Sequence, residues 1–211
     1  MNATETPDTP QPNYREHLRG ALIATVGRVL EAEGLEAVQA RRVARESGCS
    51  VGTLYNIFGD IDGLMIAVNA ETLSMLGNVV GAESGGAGEG TLVEKLTRLG
   101  HAYLRFATDH HKRWDAVFRH RMLPGKAVPQ SYIDDQERLL KVIADTLGEA
   151  VGDEDKRASV ARVLFGAVHG VVVLALDNRI GGKLLPEVEQ QVALIIRLAV
   201  HGLEAGAASG A

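Results

Sequence analysis

The chain has 211 residues, 45% of them apolar and only 4% aromatic, which suffices for one large or two small domains with an aliphatic core. A formal net charge of −5 argues against a uniformly basic nucleic-acid binder, and a single cysteine, Cys49, excludes an internal disulfide and fits a reducing compartment. No signal peptide is visible, and the longest apolar run, Val171 to Leu176, is too short to span a bilayer, so the expectation is a soluble, cytoplasmic chain with no membrane partner.

Residues 1–12 are polar and Pro-rich and read as a disordered arm. From Tyr14, the residues Leu18, Leu22, Val26, Val29 and Leu30 recur at helical spacing until Gly34. Two short helices follow, over 40–47 and 51–58, then a longer one over 61–80 with Asp60 as its N-cap. Residues 81–90, GAESGGAGEG, read as a flexible loop. Further helices are expected over 91–110, 112–122, 130–150, 154–178 and 187–205, with 206–211 as a disordered tail. Alternation at period two is absent, so the fold class is all-α: a head over 13–60, a connecting helix over 61–80 and a body over 91–205.

Residues 40–58 carry the most information. Gly48 suits the positive φ of a tight turn, and Ser50 is placed to cap the helix after it. Val51, Leu54 and Phe58 form one apolar stripe; turning it inward exposes Gly52, Thr53, Tyr55 and Asn56. That small polar face suits a major groove, and Arg41, Arg42 and Arg45 on the preceding helix are placed for phosphates. Residues 14–60 hold six Arg and six acids, so local placement of the arginines has to outweigh a neutral field. An ordinary helical hairpin in a core is the plainer alternative at this spacing.

The stretch RRVARESGCSVGTLYNIFGDIDGL, residues 41–64, resembles the signature of the TetR family of bacterial repressors, with Val43-Ala44, Gly48, Ser50, Gly52-Thr53-Leu54-Tyr55 and Phe58 in the family's order and spacing. The resemblance covers about residues 14–70. It implies a three-helix helix-turn-helix head in which Tyr55 and Thr53 touch phosphates while Gly52 and Asn56 approach base edges. Two positions depart from the pattern: Ile61 stands where many members have a phosphate-gripping Lys, and Gln39 stands where a capping Thr is common. Cys49 occupies a position usually held by Val and reads as a small buried residue.

In the body, the helix over 154–178 becomes apolar nearly all round. With the last helix it suggests a homodimer interface of Val160, Leu164, Val168, Val171, Leu174, Val192, Ile195, Ala199 and Leu203. Tyr103, Phe106, Trp114, Phe118, Phe165 and His169 form an aromatic group that suits either a core or an effector pocket. The segment FGAVHG, residues 165–170, resembles the TetR subgroup named for a Trp-His-Gly signature, with Phe165 where Trp is expected.

These readings converge on a sequence-specific DNA-binding regulator, a repressor released from a palindromic operator by a small apolar effector, with no cofactor, metal or catalytic residue expected. A helical adaptor that has lost DNA binding, and an enzyme using the His/Asp cluster near 109–120, are the alternatives. No G-x-S-x-G, H-E-x-x-H or P-loop pattern supports the enzyme.

Overall fold

The computed structural model describes residues 12–85, 90–122, 125–177 and 185–209. Among these residues there are nine α-helices and no strand: α1 (Pro12–Glu33), α2 (Ala40–Glu46), α3 (Val51–Phe58), α4 (Ile61–Gly85), α5 (Leu92–Asp109), α6 (His111–Arg119), α7 (Gln130–Leu147), α8 (Glu154–Leu176) and α9 (Leu185–Ser209). The expected arm up to residue 11, the loop segment 86–89 and the last two residues of the tail lie outside the described residues.

Helices α1, α2 and α3 close around Leu22, Val26, Leu30, Val43, Leu54 and Leu64, a core of their own. The turn between α2 and α3 passes through Gly48 at φ 70°, and α1 ends at Gly34 with φ 90°, both conformations that glycine adopts without Cβ strain. The body is built around α5, which packs against α4, α7, α8 and α9. A full capping box opens α5, with Thr91 and Glu94 each bonding the other's backbone N–H.

Two expectations need correction. First, residues 81–85 belong to α4 instead of a loop, and residues 206–209 to α9 instead of a tail. The Ser84 hydroxyl donates to the Gly81 carbonyl and Arg105 pairs with Glu83 at 3.0 Å, holding the extra turn against α5. Second, Leu164, Val168 and Val192, expected at a dimer interface, are buried inside the subunit's own core, because α8 and α9 turn these residues toward α5. Helices α4 and α8 contain stretches that match a membrane span in length and mean hydropathy, as core helices also do, and no uninterrupted apolar run reaches that length. Much of α4's stretch is covered by its neighbours, whereas α8 keeps a bare apolar strip.

Two helices join the head to the body. Helix α4 continues from one into the other, and α6 packs directly on α1. Ala116 of α6 is fully buried within the head's own apolar cluster. Lys112 donates to the Ala32 carbonyl at 2.5 Å, satisfying a free acceptor at the C-terminal end of α1.

Candidate nucleic-acid interface and body cavity

The second helix of the turn is fixed by its cap. Ser50 Oγ accepts from the Thr53 N–H at 3.0 Å and lies 2.9 Å from the Thr53 hydroxyl. Leu54 is completely buried, anchoring α3. Gly52, Tyr55 and Asn56 are therefore exposed together, with Thr53 half-buried beside them and Tyr55 42% exposed. Arg41 and Arg45 also face solvent, with no ion pair among the described residues.

Arg42 differs from its two neighbours. Its guanidinium binds Glu33 at 2.5 and 2.8 Å and Glu46 at 2.8 Å, tying α2 to the end of α1. The same bonds raise the Arg42 pKa and lower that of Glu33. Two arginines that motif reading passed over support α3 from behind. Arg15 donates to the Asn56 carbonyl at 3.1 Å, and Arg19 lies over the Phe58 ring, 5.4 Å from its centroid. Their spacing, i and i+4 on α1, was the available signal. At the far end, Asp60 accepts from the Gly63 N–H at 2.9 Å and binds Lys126, which also reaches Asp62 at 3.1 Å. Cys49 is half-buried against the head core, and burial pushes its thiol pKa up, which disfavours a reactive thiolate.

The body encloses a cavity of about 60 Å³. Leu76 and Val80 of α4, Leu99 and Tyr103 of α5, Ile143 of α7, Leu164, Phe165 and Val168 of α8 and Ile196 of α9 form its walls. Of the six aromatic and histidine residues expected there, Tyr103 and Phe165 line it. Trp114, Phe118 and His169 stand in a second layer of ring contacts, and Phe106 is buried beside the His110 ring. The aliphatic lining escaped prediction because it reads as ordinary core.

A hydrogen-bonded chain runs through that layer. Trp114 Nε1 donates to the Tyr103 hydroxyl at 2.8 Å, and that hydroxyl lies 2.6 Å from His169 Nδ1. Burial lowers the His169 pKa, favouring the neutral ring. Nδ1 then accepts a hydrogen bond from the tyrosine hydroxyl, and the ring hydrogen resides on Nε2. Burial holds the Tyr103 pKa well above that of a free phenol, so the hydroxyl keeps its proton.

The strip between α8 and α9 contains Val163, 71% exposed, Leu198, 64% exposed, and Leu174 and Leu194. Val160, Ile195, Ala199 and Leu203 lie half-buried along the same helices, as does Val171. Among the described residues no group of three His, Cys, Asp or Glu is arranged to hold a metal ion.

Residues 22–68 match the family model for bacterial regulatory proteins of the tetR family, and residues 96–199 match that for the tetracyclin repressor-like C-terminal domain. Together the two matches span most of the chain. A Rhodococcus sp. RHA1 protein of unknown function superposes with TM-score 0.71 at 23% identity, over 91% of this chain and 98% of its own. A TetR-family transcriptional regulator from Streptomyces coelicolor gives TM-score 0.62 at 19% identity, over 88% and 99%. A TetR transcriptional regulator from Rhodococcus sp. RHA1 gives 0.60 at 18%, over 87% and 96%. At these identities the structural likeness establishes the fold alone. No curated protein matches the chain.

Proposed function

The chain belongs to the TetR family of bacterial regulatory proteins and is a DNA-binding transcriptional regulator, and from that premise we propose that it works as a homodimeric repressor released by a small apolar effector. The observation that carries the release step is the double role of α6. Its Ala116 sits in the head core, while its Trp114 bonds Tyr103 on the cavity wall. A ligand that displaces Tyr103 therefore acts on the head through α6 as well as through α4. The cavity as it stands holds only about two waters' volume, whereas ligand pockets run to roughly 300 Å³ or more, so binding requires α5, α7 and α8 to part.

The DNA-facing set in this reading is Arg41, Arg45, Ser50, Gly52, Thr53, Tyr55 and Asn56, with Arg42 acting as a strut within the head. The dimer forms through the bare strip of α8 and α9, led by Val163, Leu174, Leu194 and Leu198. It sets two α3 helices about 34–36 Å apart on a palindrome. The finer assignment to the Trp-His-Gly subgroup rests on His169-Gly170. A cytoplasmic site of action follows from the DNA partner.

The test is binding of the purified protein to its own upstream DNA against nonspecific competitor, titrated with salt. Tyr55→Ala should weaken specific binding about tenfold, the scale of one lost contact worth about 1–3 kcal/mol. Absence of any competitor-resistant complex, on that DNA and on a randomised pool, would overturn the reading.

A further inference from the structure

The start of α4 places two carboxylates close to the exposed face of α3. Asp60 follows Asn56 by four residues, at most about 14 Å along the chain. The Gly59 N–H bonds back to the Tyr55 carbonyl at 2.7 Å, which folds the turn onto α3. The helix itself holds both acids there. Asp60 accepts from the Gly63 N–H, and Asp62 is buried with one oxygen 3.2 Å from the His120 ring. Negative charge favours a helix start, but the same charge repels a phosphate backbone lying on α3. Ile61, between the two acids, carries no charge. The cation that meets them comes from the body: Lys126, in the connection between α6 and α7, binds both carboxylates. Those bonds raise the Lys126 pKa and lower that of Asp60, so both stay ionised at neutral pH. Lys126 and Asp60 are each partly exposed, so their fields are not confined to the interior.

Resting on the reading of α3 as the DNA-facing helix, we propose that Lys126 is a determinant of DNA affinity supplied by the body, masking Asp60 and Asp62 from the phosphates. Together with the lysine the two acids leave one net negative charge at the start of α4; without it they leave two. The lysine's position is set from the body side. Helix α6 ends shortly before it, and the buried Tyr132 seats the start of α7 against Leu73 of α4 and Val117 of α6. Helix α6 also carries Trp114, which bonds Tyr103 on the wall of the aliphatic cavity. The charge beside α3 therefore depends on how the body is packed. A purely mechanical strut between Lys126 and Asp60 predicts the opposite response to neutralising the acid: removing either partner weakens a strut, and removing both does not repair it.

The test follows binding of the full-length protein to its own upstream DNA, and to a random-sequence duplex, by fluorescence anisotropy at about 50 and about 200 mM salt. Lys126→Met should weaken both complexes about fivefold at the lower salt, the scale of one charge per head of a dimer roughly 10 Å from several phosphates. At the higher salt the deficit should shrink to about twofold as screening shortens. Asp60→Asn keeps a good N-cap for α4 and should bind DNA more tightly than the parent. Added to Lys126→Met, it should restore parental affinity. Because Asp60→Asn is informative alone, the proposal stays open to refutation even where Lys126→Met does not fold. Equal binding by Lys126→Met and the parent at the lower salt, a deficit that salt leaves unchanged, or one that Asp60→Asn does not relieve would each overturn the proposal. So would an Asp60→Asn variant that binds no more tightly than the parent. A parent complex that Tyr55→Ala leaves intact would instead overturn the reading of α3 beneath it.

Discussion

Arg113 is the residue whose loss should most clearly expose how head and body are joined. Its guanidinium is buried where α1, α4 and α6 converge. Nη2 pairs with Glu71 at 2.6 Å, Nη1 lies 3.6 Å from Glu31, and Nε donates to the Thr72 hydroxyl at 3.2 Å. Both carboxylates are about half exposed and rehydrate when the arginine is removed. The loss in Arg113→Met is then confined to one charge-assisted bond and one ordinary bond, about 2–4 kcal/mol together. Methionine fills much of the volume, and relief from burying a charge whose two carboxylate partners keep their water offsets about half of that loss. A net destabilisation of about 1–2 kcal/mol follows. The partner glycine supplies the control. A Cβ on Gly27 would lie 2.5 Å from Arg113 Nη1. In the parent, Gly27→Ala must push the guanidinium aside, which cancels the gain of about 1 kcal/mol that alanine brings to a helix. In the Arg113→Met background the gain should reappear. A urea double-mutant cycle should therefore show a coupling of about 1 kcal/mol between the two positions. Additive effects, or an Arg113→Met variant at least as stable as the parent, would refute the claim that this arginine clamps α1 to the body.

Two further outcomes follow from the same geometry. Val163→Glu and Leu198→Glu change exposed residues outside the subunit core, so each should preserve the helical signal while raising the dimer dissociation constant by at least about 100-fold, the scale of an unpaired buried charge at 3 kcal/mol or more. Sedimentation equilibrium checks this; unchanged dimerisation would remove the strip from the interface, and Leu164→Glu should instead unfold the chain. His169 has its pKa lowered from 6.5 by burial, so the unfolded state binds its proton more readily than the native one. Its contribution is fully present above pH 6.5 and drains away as pH falls toward the depressed native value. In denaturation series across that range, His169→Gln should flatten the slope, and an identical slope in parent and variant would count against the burial argument.

What the sequence made legible was local. The Ser50 cap, the Gly48 turn and the buried Leu54 are set within a few residues of one another, so spacing alone placed Gly52, Tyr55 and Asn56 on an exposed face. Arg42 looked equivalent to Arg41 and Arg45 because nothing local shows that Glu33, nine positions earlier and across a turn, comes within 2.5 Å. The body was harder for a different reason. Helix α8 becomes apolar nearly all round in its later half, so only its first turns carry polar residues that fix which way the helix is turned. Leu164 and Val168 were assigned outward and Val163 was missed, an error of one position along a helix, where the facing direction changes by about 100°. The cavity was invisible for the same reason, because helices contributing one or two aliphatic residues each leave no motif.

The size of a releasing ligand can be bounded from these elements. Moving the head from almost wholly competent to almost wholly incompetent, 99:1 to 1:99, needs a difference in ligand affinity between the two states of about 5.5 kcal/mol. The cavity lining is aliphatic and aromatic, with its tyrosine hydroxyl already engaged by Trp114 and His169, so that preference has to come almost entirely from apolar contact. At about 25 cal/mol per Å², it corresponds to roughly 220 Å² of apolar surface buried only in the opened state. One aromatic side chain buries about 150–250 Å², so a ligand of one or two rings suffices and a much smaller one does not. A molecule that fits the closed cavity of about 60 Å³ binds both states alike and shifts nothing, however tightly it binds. Potency among effectors should therefore follow the apolar area they hold beyond the closed volume. A series of compact apolar ligands that saturates the protein yet leaves operator affinity unchanged would be the expected behaviour at the small end of that scale.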